Sequence, residues 1–131
     1  MGRLLFIIGV FAALPACSSD ETLTAYGAQD TNWRLIQIDG TPYGARAVLR
    51  FSPGGAVAGL APCNRFNAVQ TAPYPWFALE NVAIIRTACP DLAHEHSLMT
   101  ALDEMTQSET APGTLLLSNK AGREMLFHAT E

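Results

Sequence analysis

Ala45-Arg46-Ala47-Val48-Leu49-Arg50-Phe51-Ser52-Pro53-Gly54-Gly55-Ala56-Val57-Ala58-Gly59-Leu60 is the stretch that decides the fold class. In its first half Ala45, Ala47, Leu49 and Phe51 point one way, and Arg46, Val48 and Arg50 the other. That period of two belongs to a half-buried strand. Ser52-Pro53-Gly54-Gly55 is a turn signal, and Ala56 to Leu60 resumes the apolar run. Ala45–Leu60 therefore reads as a β-hairpin.

The flanks continue the pattern. Trp33 to Ile38 is rich in aromatic and β-branched residues and stops at Asp39-Gly40. Phe77–Leu79 and Val82–Thr87 read as further strands, separated near Glu80-Asn81. Thr114–Ser118 and Arg123–His128 flank Asn119-Lys120-Ala121-Gly122 as a C-terminal hairpin. One segment differs. Pro90 through Met105 carries helix formers and no glycine, with Pro90 suited to the first helical position and Asp91 to the positive helix end. Leu92, Leu98, Met99, Leu102 and Met105 share one stripe at helical spacing. The expected class is α+β, mainly β: a compact antiparallel barrel-like or sandwich sheet of about seven or eight short strands with one helix.

Composition narrows the function. The 131 residues are 49% hydrophobic and 15% charged, which excludes a disordered chain. The formal charge is −4 and no basic stripe exists, so nucleic acid is not an expected partner.

The N-terminus carries an address. Arg3 is followed by Leu4–Leu14, a run without a polar side chain. As a helix that run spans roughly 16 Å, too short for a ~30 Å bilayer core, and reads as a signal peptide. It ends at Leu14-Pro15-Ala16-Cys17, which resembles a bacterial lipobox, with Pro15 in place of the usual small or β-branched residue. The resemblance implies acylation of Cys17, palmitate among the chains, after removal of residues 1–16; each buried CH₂ adds ~0.8 kcal/mol of anchoring. Ser18 rather than Asp after Cys17 implies the outer membrane. Residues 17–32 then form the lipidated N-terminus and a flexible tether, spanning ~20 Å. Residues 33–131 form one domain.

Cys63 and Cys89 remain as an even pair in an exported chain, so a disulfide is expected. It would close a loop of roughly 27 residues, worth about 3.5 kcal/mol in the chain-entropy model. Two buried free thiols are the alternative. A metal site would draw on His94 and His96, but His-x-His on a helix sets the rings about 200° apart, and no zinc spacing supports it. Neither metal nor cofactor is expected. In Cys63-Asn64-Arg65-Phe66-Asn67, Phe66 is expected in the core, Asn64 and Asn67 closing a turn, and Arg65 clamping a carboxylate. A ligand-facing loop is the other reading of that string.

Residues 33–128 resemble the META domain, also called HslJ-like, of bacterial envelope lipoproteins. The resemblance rests on Trp33, Leu35 and Gly40, on Gly59 before Cys63-Asn64-Arg65-Phe66, on Thr87-Ala88-Cys89, on Glu95, and on the Leu115–Leu117 and Met125–Phe127 strands. Ala61-Pro62 and Ala88 depart from the residues frequent at those positions. The resemblance implies a compact β-rich domain with one helix and an association with envelope stress. It brings no catalytic residues.

Glu95 lies within the apolar stripe of the helix and needs a partner or water. Arg65 and Arg86 flank the cysteines and are the expected ones, making a structural ion pair rather than a catalytic acid. A Cys63–His94 nucleophile pair competes with the disulfide and has no oxyanion-hole signature. Tyr74 and Trp76 stand among prolines and are candidates for exposed binding aromatics. These residues point to a non-catalytic outer-membrane lipoprotein with a periplasmic domain and a structural or interaction role. The alternative is a small-ligand or peptide-binding barrel with its mouth at Tyr74–Phe77 and Asn64–Asn67. A thiol or metal enzyme is the third reading. The partners are the membrane through Cys17 and an envelope protein or small ligand.

Overall fold

The computed structural model describes residues 19–130. The expected signal segment and Cys17 lie outside them. The strands are β1 (Asn32–Ile38), β2 (Thr41–Pro42), β3 (Val48–Phe51), β4 (Ala56–Leu60), β5 (Arg65–Val69), β6 (Glu80–Ile84), β7 (Gln107–Ala111), β8 (Thr114–Ser118) and β9 (Glu124–Thr130). Helix α1 (Leu92–Glu104) connects β6 to β7. All strand pairs are antiparallel, in the order β6-β5-β4-β3-β1-β9-β8-β7, with β2 on β1. The sheet is open, and α1 links its two terminal strands.

The quoted hairpin forms as its alternation requires, with Val48↔Leu60 through Phe51↔Val57 in register. Ala47, Leu49 and Phe51 are buried. Its turn residues Gly54 and Gly55 take φ +85° and +88°, which side chains resist. Asp39 and Gly40, at φ 52° and 79°, close the β1–β2 hairpin with the left-handed pair that a two-residue turn demands. The core gathers Trp33, Leu35, Phe51, Phe66, Leu115, Leu117, Met125 and Phe127 from the strands. Leu98, Ala101 and Leu102 from α1 join it.

Gly59 of β4 faces Phe66 of β5 across the ladder. A Cβ at Gly59 would overlap the Phe66 ring, so the missing side chain is what seats that ring in the core.

Several expectations change. Arg65, Phe66 and Asn67, read as part of a corner, belong to strand β5, and Asn67 is exposed on it. Gln107–Ala111 is strand β7, whereas Phe77–Leu79 is not a strand. Its place in the ladder comes from pairing with β8 rather than from alternation of its own. The tether expected over residues 17–32 is packed from Thr22 onward: Thr22, Leu23, Thr24 and Ala28 are buried. Trp33 Nε1 donates to the Ala28 carbonyl at 3.1 Å, fastening that segment to the core. Helix α1 begins at Leu92 rather than Pro90, and Leu92 is 45% exposed instead of in the core stripe.

Candidate functional site

Cys63 and Cys89 form a disulfide with their Cα atoms 5.6 Å apart. It joins the segment leaving β4 to the segment entering α1. Asn64, next in the chain, is buried and pairs its side-chain amide with both the N–H and the carbonyl of Thr87. Asn64 Oδ1 accepts the Thr87 N–H at 2.9 Å, and Asn64 Nδ2 donates to the Thr87 carbonyl at 3.0 Å. The amide thus works as a short piece of ladder where the strands have ended.

Glu95 enters this corner from the first turns of α1 and is 5% exposed. Its Oε1 accepts the N–H groups of Cys63 at 3.2 Å and Asn64 at 2.9 Å. Its Oε2 accepts Asn64 Nδ2 at 2.7 Å. The expected ion pair with Arg65 or Arg86 does not form. Both arginines are exposed, and among the described residues neither makes a salt bridge. The backbone donors of a chain reversal have taken the place of a cation. Sequence spacing cannot show this, because Asn64 and Glu95 are 31 residues apart.

Tyr43 fastens the other side of the helix start. Its hydroxyl donates to the His94 carbonyl at 2.7 Å, and its ring meets the His94 imidazole edge-on at 5.6 Å. Burial, then the nearby Glu95 and Asp91 carboxylates, push the Tyr43 phenol up to about 12. His94 Nδ1 lies 3.5 Å from Asp91, and His96 lines a different surface, so the two histidines diverge as their spacing requires. Among the described residues no group of three or more His, Cys, Asp or Glu is placed to hold a metal. With Cys63 in the disulfide, the Cys63–His94 nucleophile pair does not exist.

Beside the corner an open groove of ≈ 860 Å³ runs between β6 and α1. Leu79, Val82 and Ile84 form one wall, and Leu92, His96 and Met99 the other. Arg86, Thr87 and Glu95 close the disulfide end. Val82 in that wall and Ile85 next to the groove are 41% and 78% exposed, an apolar rim of the kind that marks a contact surface. Among the described residues β6 is the edge of the sheet and pairs only with β5. The only sign of this groove in the sequence is the unbroken apolar Val82–Ile85 run, which lacks the alternation of a half-buried strand.

Tyr74 and Trp76 lie elsewhere. They line a shallow pocket of ≈ 300 Å³ with Gln107 and Glu109, sharing no lining residue with the groove. The mouth expected from Tyr74–Phe77 together with Asn64–Asn67 does not appear in either of these two cavities: among the described residues Phe77 and Asn64 are buried, and neither the groove nor the shallow pocket is lined by both segments.

The META domain model matches residues 22–131. A protein from Burkholderia xenovorans solved by NMR is 22% identical, with a TM-score of 0.65 over 94% of this chain and 99% of that one. A second NMR structure is 19% identical, with a TM-score of 0.57 over 75% and 88%. A DUF4847 family protein from Bacteroides vulgatus is 12% identical, with a TM-score of 0.61 over 81% and 96%. These likenesses extend to the fold alone. No curated protein matches the chain.

Proposed function

The chain belongs to the META domain family, and on that premise we propose a non-catalytic interaction protein of the bacterial envelope, anchored in the outer membrane through acylated Cys17. The domain stands in the periplasm and acts under envelope stress. Its working surface is the groove between β6 and α1, and its partner presents an apolar segment. The observation that carries this reading is the contrast at the disulfide end of the groove. The buried acid there, Glu95, has both oxygens occupied by donors of the corner, while the walls beyond it are apolar and open. Such a site supplies contact area rather than a free acid or nucleophile. The disulfide agrees with an oxidising compartment, and the lipobox with the anchor.

Acyl labelling of the full chain tests the anchor. The label is expected in the parent, in outer-membrane fractions, and absent from Cys17→Ser. An unlabelled parent refutes the anchor. Photo-crosslinking residues placed at Val82 and Ala93 in cells test the groove against a control at Lys120. Adducts at Lys120 but at neither groove position would refute the working surface.

A further inference from the structure

We infer that the aromatic face formed by Tyr26, Tyr74 and Trp76 lies on the bilayer surface when the chain is anchored, so that the domain sits against the membrane instead of standing off it. The inference rests on the lipid-anchor reading and adds the orientation of the domain. Its first support is the length of chain left between anchor and fold. Asp20 already accepts the backbone N–H and the hydroxyl of Thr22 at 2.8 and 2.6 Å, and Thr22 is buried. Cys17 is three residues before Asp20, and three residues reach at most about 11 Å. The ~20 Å tether of a free residue 17–32 segment is not available to this fold.

The second support is what surrounds the point where the chain emerges. Glu21 lends its carbonyl to the Tyr74 N–H at 2.7 Å, placing Tyr74 beside the first described residues of the chain. Tyr26 stacks on Tyr74 with ring centroids 4.6 Å apart and planes 10° from parallel. Tyr74 shares its shallow pocket with Trp76. Tyr26 and Trp76 are 55% and 50% exposed, so two large amphipathic rings face solvent on the patch built around Tyr74. Rings with an apolar body and a polar tip settle at the headgroup level of a bilayer. Thr110 holds the patch in place, its Oγ1 donating to the Tyr26 carbonyl at 2.6 Å and its N–H to the Tyr74 hydroxyl at 3.3 Å. Glu21 and Glu109 border the patch and are exposed, so it suits zwitterionic rather than anionic headgroups.

Fluorescence of the full acylated chain in phosphatidylethanolamine–phosphatidylcholine vesicles tests the inference. Trp33 is 2% exposed and Trp76 50%, so Trp76 reports on the surface. Lipids brominated near the headgroup end of their acyl chains are expected to cut Trp76 emission about twofold or more. Trp76→Phe should abolish that quenching, and added anionic lipid should weaken it. Acylated protein whose Trp76 is untouched by brominated lipid, yet open to aqueous acrylamide, would overturn the orientation and leave the anchor standing. A chain whose mass shows no acyl group on Cys17 would overturn both.

Discussion

Replacing Glu95 by Gln keeps the shape of the buried side chain and changes only its hydrogen-bonding sense. The carboxylate receives three N–H donors and donates nothing. A glutamine can turn its oxygen toward the Cys63 and Asn64 backbone N–H groups, but its NH₂ then faces Asn64 Nδ2, a donor against a donor at the present 2.7 Å contact. Asn64 cannot turn its amide to relieve this, because Oδ1 already accepts the Thr87 N–H and Nδ2 already donates to the Thr87 carbonyl. The substitution therefore loses one hydrogen bond to a charged group and leaves a buried donor unmet, about 3–5 kcal/mol together. In a domain of total stability about 5–15 kcal/mol that is a large share. Urea unfolding of the oxidised protein measures it, with an unchanged m-value confirming the same transition. Asn64→Ala in a double-mutant cycle should recover a coupling of about 1–2 kcal/mol, since both changes remove the same bond. A Glu95→Gln variant within about 1 kcal/mol of the parent would refute the assignment of Glu95 as the fastening of α1 to the disulfide corner.

Gly59→Ala should destabilise by about 2 kcal/mol or more by driving a methyl into the Phe66 ring, and Gly59→Ala with Phe66→Leu should recover part of the loss in the same urea experiment. Opening the disulfide by Cys63→Ser with Cys89→Ser should cost about 3.5 kcal/mol through the freed loop, seen as a lower urea midpoint. Tyr43 holds its proton to about 12 in the folded chain against about 10 unfolded, so its contribution is complete below about pH 10 and declines toward pH 12 as the unfolded chain alone ionises. Melting temperatures of the parent and Tyr43→Phe should therefore converge as pH is raised through that window; a constant gap would refute the burial of the phenol.

How legible the molecule was in its sequence followed the range of the forces involved. Alternation along Ala47–Phe51, the left-handed turn residues at Asp39-Gly40 and Gly54-Gly55, and the C-terminal hairpin around Asn119–Gly122 all act within a few residues and were readable. So were the helix and the single pairing open to Cys63 and Cys89. Gln107–Ala111 was not readable, because a polar, half-exposed strand is held by the backbone of its neighbour and needs no pattern of its own. The 22–31 segment resembled a tether for a similar reason: its small and polar residues carry no pattern of their own, and its packing rests on tertiary contacts such as the Trp33 indole N–H donating to the Ala28 carbonyl.

At the candidate site the residues were legible and their relations were not. The family resemblance marked Asn64, Thr87, Glu95 and both cysteines as one structural motif, and local pattern alone singled out the cysteine pair and a carboxylate in an apolar stripe. They did not reveal that Glu95 would accept backbone donors instead of an arginine. A buried carboxylate takes whichever donors the fold brings within reach, and two peptide N–H groups already fixed by the disulfide corner lose less side-chain freedom than a mobile arginine would. The groove follows the same logic. Val82 and Met99 are ordinary apolar residues until the open sheet leaves β6 at its edge and α1 alongside it. Short-range periodicity and turn chemistry belong to the chain wherever it lies, whereas an unpaired edge, a packed N-terminus and the partners of a buried acid exist only once distant segments have met.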